Sequence, residues 1–422
     1  MFQQSINEEI TISAPIKYIK RFTFSCLIKL RRINFPSTLQ EIEEGLFTMC
    51  KSLNSIEIPP SVTKIQSRAF SECSSLRKII FPDLSNMEIG ETIFEGVESV
   101  EIIGPTKVIP KGLFKKCYKL ENIKLPSSVI KIEDEAFYGC AESMQIQLPP
   151  SLETVGNRVF EVVKTLKIMN KIKRIPANLF MNYSILHYFE IPDSVTSIEY
   201  NSFFKCISLQ EIVIPSSVTS IGLNAFGESF LQKINIPSSV TEIQNCAFIG
   251  CIYLTEETIS PSLKVIQGNT FAKCVCLSRI TIPQSVTSIE ENAFSQCIRL
   301  EFVNASSSSV VSLGNSAFNG CVNLKEINLP KSLKTIGCYV FFKCLKLEKV
   351  NLPNSINFIG EGSFNKCESL KELNIPSELL SIERSVFRDC KSLKEVIINP
   401  SFTVIGKNVF LAGAKITKNE VL

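Results

Sequence analysis

The chain has 422 residues, and 45 lysines and arginines against 41 aspartates and glutamates give a formal net charge of +4. This near balance excludes a polyanionic partner for the molecule as a whole. No apolar run approaches the ~18 residues that cross a bilayer, and the N-terminus has no apolar signal-peptide segment. The sequence alone therefore predicts a soluble chain without a transmembrane segment.

The first stretch of the chain is polar and then basic. Residues 1–9 are polar and are expected to be frayed. Residues 11–40 carry six basic side chains and no acid. Such a run is typical of a nucleic-acid or anionic-surface patch, but regular repeat residues separate these charges. A solvated end of the fold is the favoured interpretation, and no nucleic-acid partner is expected.

From residue 10 to residue 413 one pattern repeats, and residues 203–225 show it most clearly: F-x-x-C-x-x-L-x-x-I-x-I-P-x-S-V-T-x-I-x-x-x-A. A repeat of this period determines the whole architecture. Steps of 20 to 24 residues separate its anchor phenylalanines, which are Phe24, Phe47, Phe70, Phe94, Phe114, Phe137, Phe160, Phe180, Phe203, Phe226, Phe248, Phe271, Phe294, Phe318, Phe341, Phe364, Phe387 and Phe410.

Each repeat predicts one coil with two short strands. Residues 209–214 alternate apolar and polar side chains and favour a strand, which Pro215 ends because proline lacks a backbone donor. Ser217 stands where a side chain is needed to hydrogen-bond the turning backbone. Residues 218–221 favour a second strand, and the corner around Phe226 is expected to be helical or 3₁₀. Strands of successive coils should be parallel and in register, with the anchor phenylalanines in one internal column.

These elements predict an α/β-type repeat solenoid, rich in β-structure, with about 18 turns of ~23 residues and a parallel sheet on one face. A single coil cannot bury enough apolar surface to be stable alone, so stacking of neighbours must stabilise it. We expect one domain over residues 10–413, without a linker, and a short C-terminal tail over residues 414–422.

The pattern L-x-x-I-x-L-P-x-S-V-T-x-I-G-x-x-A-F-x-x-C resembles the BspA-like leucine-rich repeat family. That resemblance implies a curved leucine-rich repeat arc without catalysis, similar to surface antigens and adhesins that bind host matrix or other cells. It favours the cell surface, whereas the missing signal peptide and transmembrane segment favour the cytoplasm. Both locations stay open at this point.

Cysteine recurs in the slot three residues after the anchor, where other coils have residues such as Val97, Val163 and Tyr183. A disulfide framework would not tolerate that exchange, and metal sites favour histidine or C-x-x-C clusters. Buried free thiols that act as small hydrophobes are therefore predicted, with disulfides and metal as alternatives. The twelve cysteines in this slot are Cys50, Cys73, Cys117, Cys140, Cys206, Cys251, Cys274, Cys297, Cys321, Cys344, Cys367 and Cys390.

Candidate partner-binding residues lie at predicted outward strand positions. Opposite charges of neighbouring strands are expected to pair across this face. The open face of a solenoid is nevertheless its natural protein-binding surface, and these columns suit a polar protein. The candidates are His187, Tyr188, Glu190, Lys325, Glu326, Asn328, Glu348, Lys349, Asn351, Lys371, Glu372 and Asn374.

Irregular repeats near 83–85, 257–261 and 305–309 are interpreted as bulges, either binding features or drift. With one histidine and no phosphate loop, we expect no enzyme, cofactor or metal. The hypothesis is a protein-binding repeat protein that acts in cell-surface adhesion, and the alternative is an intracellular scaffold. The sequence identifies neither the ligand nor the oligomeric state.

Overall fold

The structure is a computed structural model that describes residues 8–85, 87–163, 165–168, 171–398, 404–410 and 415–418. The chain divides into two compact units, residues 1–195 and 196–422. Each unit is a solenoid of short parallel strands, stacked coil on coil. The predicted parallel repeat solenoid is thus confirmed.

Most coils supply one strand to a long-strand sheet, built from the L-x-x-I-x-I segments, and one to a short-strand sheet, built from the V-T-x-I segments. In the first unit the long-strand sheet comprises Glu9–Thr11, Arg32–Asn34, Ser55–Glu57, Lys78–Ile80, Ser99–Ile103, Asn122–Lys124, Ser143–Gln147 and Thr165–Ile168. The short strands there are Glu41–Ile42, Lys64–Ile65, Glu88–Ile89, Val108–Ile109, Lys131–Ile132, Thr154–Val155 and Arg174–Ile175.

The second unit repeats this plan. Its long strands are Glu211–Val213, Lys233–Asn235, Glu256–Thr258, Arg279–Thr281, Phe302–Asn304, Glu326–Asn328, Lys349–Val350, Glu395–Ile398 and Lys415–Lys418. Its short strands are Ser197–Ile198, Ser220–Ile221, Glu242–Ile243, Val265–Ile266, Ser288–Ile289, Ser312–Leu313, Thr335–Ile336, Phe358–Ile359, Ser381–Ile382 and Val404–Ile405. The strand Lys415–Lys418 pairs with Glu395–Ile398, so the ladder continues past residue 413, where the sequence predicted its end.

Anchor phenylalanines form an internal column within each unit, as predicted. From Phe24 to Phe160 successive rings stack with centroids 5.2 to 5.6 Å apart. From Phe203 to Phe410 the spacing is 5.1 to 5.8 Å. Interior rings are fully buried, whereas the terminal rings of Phe24 and Phe410 are half-buried. In-register stacking therefore turns one residue per coil into a continuous apolar core.

The corners are turns, and the prediction of helical or 3₁₀ corners is wrong. The described residues contain no helix of either kind. In the coil of Phe226, Asn224 and Glu228 have φ values of 53°, in the left-handed region that a right-handed helix excludes. The Ala225 amide donates to the Gly222 carbonyl over 3.2 Å, and a positive φ at the third residue of such a turn is typical of type II.

Serines of the P-x-S-V turns tie successive coils together. The hydroxyl of Ser285 donates to the Leu263 carbonyl over 2.7 Å, and that of Ser332 donates to the Val310 carbonyl over 2.8 Å. In the irregular repeat, Ser260 takes this role with the Val240 carbonyl. Ser217, the residue on which the prediction was based, has a buried hydroxyl oxygen without a partner, as does Ser239. Nothing in the structure explains these two exceptions.

The twelve cysteines of the repeated slot are buried and unbridged, as predicted. Their thiols also find an acceptor: Cys274 donates to the Phe248 carbonyl over 3.2 Å, and Cys297 donates to the Phe271 carbonyl over 3.1 Å. Each bond joins one coil to the anchor of the preceding coil. The thiol is thus a weak donor inside the core.

Irregular repeats differ in how they affect the ladders. The long-strand ladder is interrupted after Glu256–Thr258 and the short-strand ladder before Val265–Ile266, on either side of the extra residue Ser260. At 305–309 the ladders are continuous, because Asn304 closes a local turn by accepting the Ser306 amide over 3.2 Å. Asp83 does the same for Ser85 over 3.1 Å. The side chain of Glu257 lies outside the described residues.

The termini depart slightly from the predicted boundaries. Residues 1–7 lie outside the described part of the chain, so most of the predicted frayed segment has no structural account. Glu9 already belongs to the first long strand, which pairs with Arg32–Asn34. In the basic segment, Arg31 forms an ion pair with Glu8 over 3.3 Å.

Candidate functional site

Nine of the twelve candidate residues lie together on the long-strand sheet of the second unit. The strand Glu326–Asn328 buries Ile327 and directs its neighbours outward, because side chains alternate along a strand. Glu326 pairs in register with Lys349, and Lys349 pairs with Glu372 across a parallel bridge. The predicted columns of polar side chains therefore exist, and we call this surface the open face.

One column of the open face neutralises itself. Lys325 forms an ion pair with Glu301 over 2.9 Å, and Lys371 forms one with Glu348 over 2.8 Å. The hydrogen bond that Lys325 donates lowers the pKa of Glu301, and the hydrogen bond that Lys371 donates lowers the pKa of Glu348. The predicted cross-strand pairing is confirmed for this column.

The adjacent columns keep most of their polar groups free. Within the described residues, Glu326, Lys349 and Glu372 form no ion pair within 4.0 Å, although opposite charges stand in register. The third column begins with Asn304, whose side chain accepts the Ser306 amide. It continues with Asn328, Asn351 and Asn374, whose side chains make no hydrogen bond in that part of the chain. The sequence predicted pairing for all the charges, so the free middle column is a correction.

A depression of about 740 Å³ lies on the same sheet, nearer the start of the second unit. It is lined by both apolar residues, such as Ile259, and polar or charged ones, such as Lys233, Asn235, Thr255 and Arg279. The depression coincides with the break in the ladder at the irregular repeat of Glu256–Thr258. This irregular repeat therefore changes the shape of the open face.

The other three candidates belong to the first unit. His187, Tyr188 and Glu190 are exposed, but the predicted strand is not formed, since none is described between Arg174–Ile175 and Ser197–Ile198. The His187 Nδ1 lies 2.8 Å from the Ile185 carbonyl oxygen. Their role in binding stays a prediction.

The part of the chain that the structure describes contains neither a metal-binding cluster nor a membrane-spanning helix. No group of three or more histidine, cysteine, aspartate or glutamate side chains is placed to hold a metal ion. No helix there is long and apolar enough to cross a bilayer.

Two solved structures of leucine-rich proteins are similar to this chain, whereas the curated proteins give no match. A search of curated proteins returned no match. A leucine-rich repeat protein from Bacteroides ovatus is 24% identical, with a TM-score of 0.54 over 87% of this chain and 92% of that chain, and has the same fold. A leucine-rich cell surface protein from Faecalibacterium prausnitzii is 21% identical, with a TM-score of 0.30 over 87% of this chain and 91% of that chain.

The family comparison covers almost the whole chain. The profile of the BspA type leucine rich repeat region, in six copies, matches residues 1–109, 107–229, 173–301 and 297–417. These segments contain every coil that the structure describes, including both units and the open face. The resemblance in the repeat pattern is thereby confirmed, and the chain belongs to the family of BspA-type leucine-rich repeat proteins.

Proposed function

We propose that the chain is a non-enzymatic recognition protein whose open face binds another protein, in adhesion at the cell surface. The free columns of the open face carry this proposal. Glu326, Lys349 and Glu372 present alternating charges that form no ion pair within 4.0 Å among the described residues, and the asparagine column beside them offers donors and acceptors. A polar protein surface can form ion pairs and hydrogen bonds with these charges and amides, as polar groups do at the rim of a protein–protein interface.

The ladder beneath these groups supports recognition because it holds them in place. Each outward residue is flanked by buried residues, such as Ile327 and Val350, and a preorganised surface loses less entropy on binding. Members of this repeat family are not known for catalysis, and the single histidine of the sequence contacts a backbone carbonyl. These observations favour binding without chemistry.

Surface labelling of intact source cells tests the proposed location. A membrane-impermeant, amine-reactive reagent should label this protein, because lysines such as Lys349 and Lys371 are exposed. A cytoplasmic protein of the same cells, unlabelled in that experiment, is the control for leakage. Labelling that occurs only after lysis would contradict surface adhesion and would support the intracellular scaffold.

A further inference from the structure

An apolar stripe runs along one corner of the second unit, at the position four residues after each anchor phenylalanine. It occupies seven successive coils, with Ile207, Phe230, Ile252, Val275, Ile298, Val322 and Leu345. In the next two coils the position holds Glu368 and Lys391, which form an ion pair over 2.9 Å. We call the seven apolar residues the edge stripe.

The coil itself does not require an apolar side chain there. In the first unit the same position carries Lys51, Ser74 and Glu98 as well as Ile28, Tyr118 and Ala141. Ile298 is 45% exposed and Leu345 is 37% exposed, so these side chains contribute little to the core. Contiguous exposed apolar residues rimmed by polar ones mark interaction sites.

Backbone hydrogen bonds place the stripe residues of successive coils next to each other. The Val275 carbonyl accepts the Arg299 amide over 3.1 Å, and the Val322 carbonyl accepts the Lys346 amide over 3.2 Å. Parallel coils joined in this way are about 4.8 Å apart. Seven coils therefore extend the stripe over about 29 Å.

Cations border the stripe on both sides in its second half. Lys273 and Lys343 stand two residues before it, and Arg299 and Lys346 stand one residue after it. None of the four forms an ion pair within 4.0 Å among the described residues, in contrast to Lys325 on the open face. No acidic side chain occurs in the first five positions after the anchors from Phe271 to Phe341.

We propose that the edge stripe binds an acidic amphipathic helix of a partner protein. A helix rises about 5.4 Å per turn, so a helix along the stripe meets roughly one coil per turn. Its apolar side chains at i, i+3, i+4 and i+7 then contact the stripe, as in other helix-recognition surfaces. Carboxylates on the two flanks of that helix meet Lys273 and Lys343 on one side, and Arg299 and Lys346 on the other.

The geometry favours a helix over an anionic bilayer, the other surface with this chemistry. The stripe is one residue wide at Ile298, Val322 and Leu345. In its first half only Tyr253, beside Ile252, widens it. Val275 and Val322 are half-buried between the cationic columns, whereas insertion into a bilayer needs apolar side chains that project beyond the charges. The proposal concerns a surface separate from the open face and does not depend on the function proposed for that face.

A displayed library of random 20-residue peptides, selected on the full chain, tests the proposal. Peptides that also bind the double variant I298D/V322D are removed during selection. We expect the retained peptides to carry apolar residues every three or four positions with aspartate or glutamate beside them. A synthetic retained peptide should bind the K343Q/K346Q variant roughly three- to tenfold more weakly than the unmodified chain, with equal binding to the open-face control K325Q/K371Q.

Other outcomes would overturn the proposal. These are no enrichment over the I298D/V322D variant, retained peptides without acidic residues, or unchanged affinity for K343Q/K346Q. Because K343Q/K346Q alters only exposed charges, it remains informative even if the double aspartate variant unfolds, which circular dichroism would show. Vesicles of phosphatidylcholine and phosphatidylserine form a parallel arm. If the full chain binds them through the stripe while no peptide is enriched, the surface is a membrane contact and the helix assignment is wrong.

Discussion

Replacing Phe271 by alanine is expected to lower the free energy of unfolding of the second unit by about 3–5 kcal/mol. The Phe271 ring is fully buried and stacks on Phe248 and Phe294, with centroids 5.4 Å away on each side. Truncation removes its apolar burial and leaves a cavity between two rings that the coils above and below hold apart. Urea denaturation followed by circular dichroism measures the change.

The matched control is the same substitution at the end of the column. Phe410 is half-buried, and the ring contact described for it is with Phe387 at 5.6 Å. We expect Phe410→Ala to cost about 1 kcal/mol, because a partly exposed side chain loses less burial. Equal losses for the two variants would contradict the internal column.

Raising the pH to 10 is expected to destabilise both units strongly. Burial raises the pKa of the Cys50 and Cys390 thiols to about 12, from an ordinary value of 9.0. Eight slot cysteines have a thiol pKa raised mainly by burial: Cys50, Cys73, Cys117, Cys140, Cys321, Cys344, Cys367 and Cys390.

The sign follows from proton binding in the two states. Above pH 9 the unfolded chain loses thiol protons that the folded chain keeps, so stability falls as pH rises. At pH 10 each thiol contributes a loss on the order of 1 kcal/mol. Four of the eight lie in each unit, so each unit loses several kcal/mol, a large part of the roughly 5–15 kcal/mol of a typical domain.

Variants separate the thiols from other groups that titrate in alkali. Replacing Cys321 and Cys344 by valine, which occupies the same slot as the buried residues Val97 and Val163, should raise the midpoint pH of unfolding. Cys26→Ser is the control, since Cys26 is exposed and its replacement should leave the midpoint unchanged. If the double valine variant unfolds at the same pH as the unmodified chain, the buried thiols do not govern alkaline stability.

The repeat period predicted the core because it is a long-range signal that each coil reinforces. Once Phe226 is aligned with Phe248, the strands, the buried cysteines and the turn serines fall at equivalent positions wherever they occur in the coils. Ser217 and Ser239 show the limit of this reasoning. Hydrogen bonds depend on distances of a few tenths of an ångström, which a repeat pattern does not specify.

The corners were predicted wrongly because spacing was used without conformation. Phe226 and the slot three residues later have a helical spacing, but the residues two before and two after the anchor are left-handed. The signal was present in the sequence, since Asn201, Asn224 and Asn292 stand two residues before their anchors, and asparagine tolerates the left-handed region. These asparagines therefore indicate turns, rather than helices, at the corners.

The open face and the edge stripe differ in how visible they are from sequence. Alternation along a strand predicts that Glu326 and Asn328 point outward, but it does not decide which charges meet. The edge stripe has one residue per coil in a turn, so no local periodicity marks it. Ile298 and Val322 become neighbours only through the stacking of coils.

Site-specific photocrosslinking on the source cells tests recognition by the open face most directly. A photoreactive residue replaces Asn351 on the open face or, as the control, Asn357, which is also exposed and lies beside the short strand of the same coil. We predict a crosslinked protein partner at position 351 that excess unmodified chain displaces, with none at position 357. No displaceable crosslink at position 351, or the same crosslink at both positions, would contradict recognition by the open face.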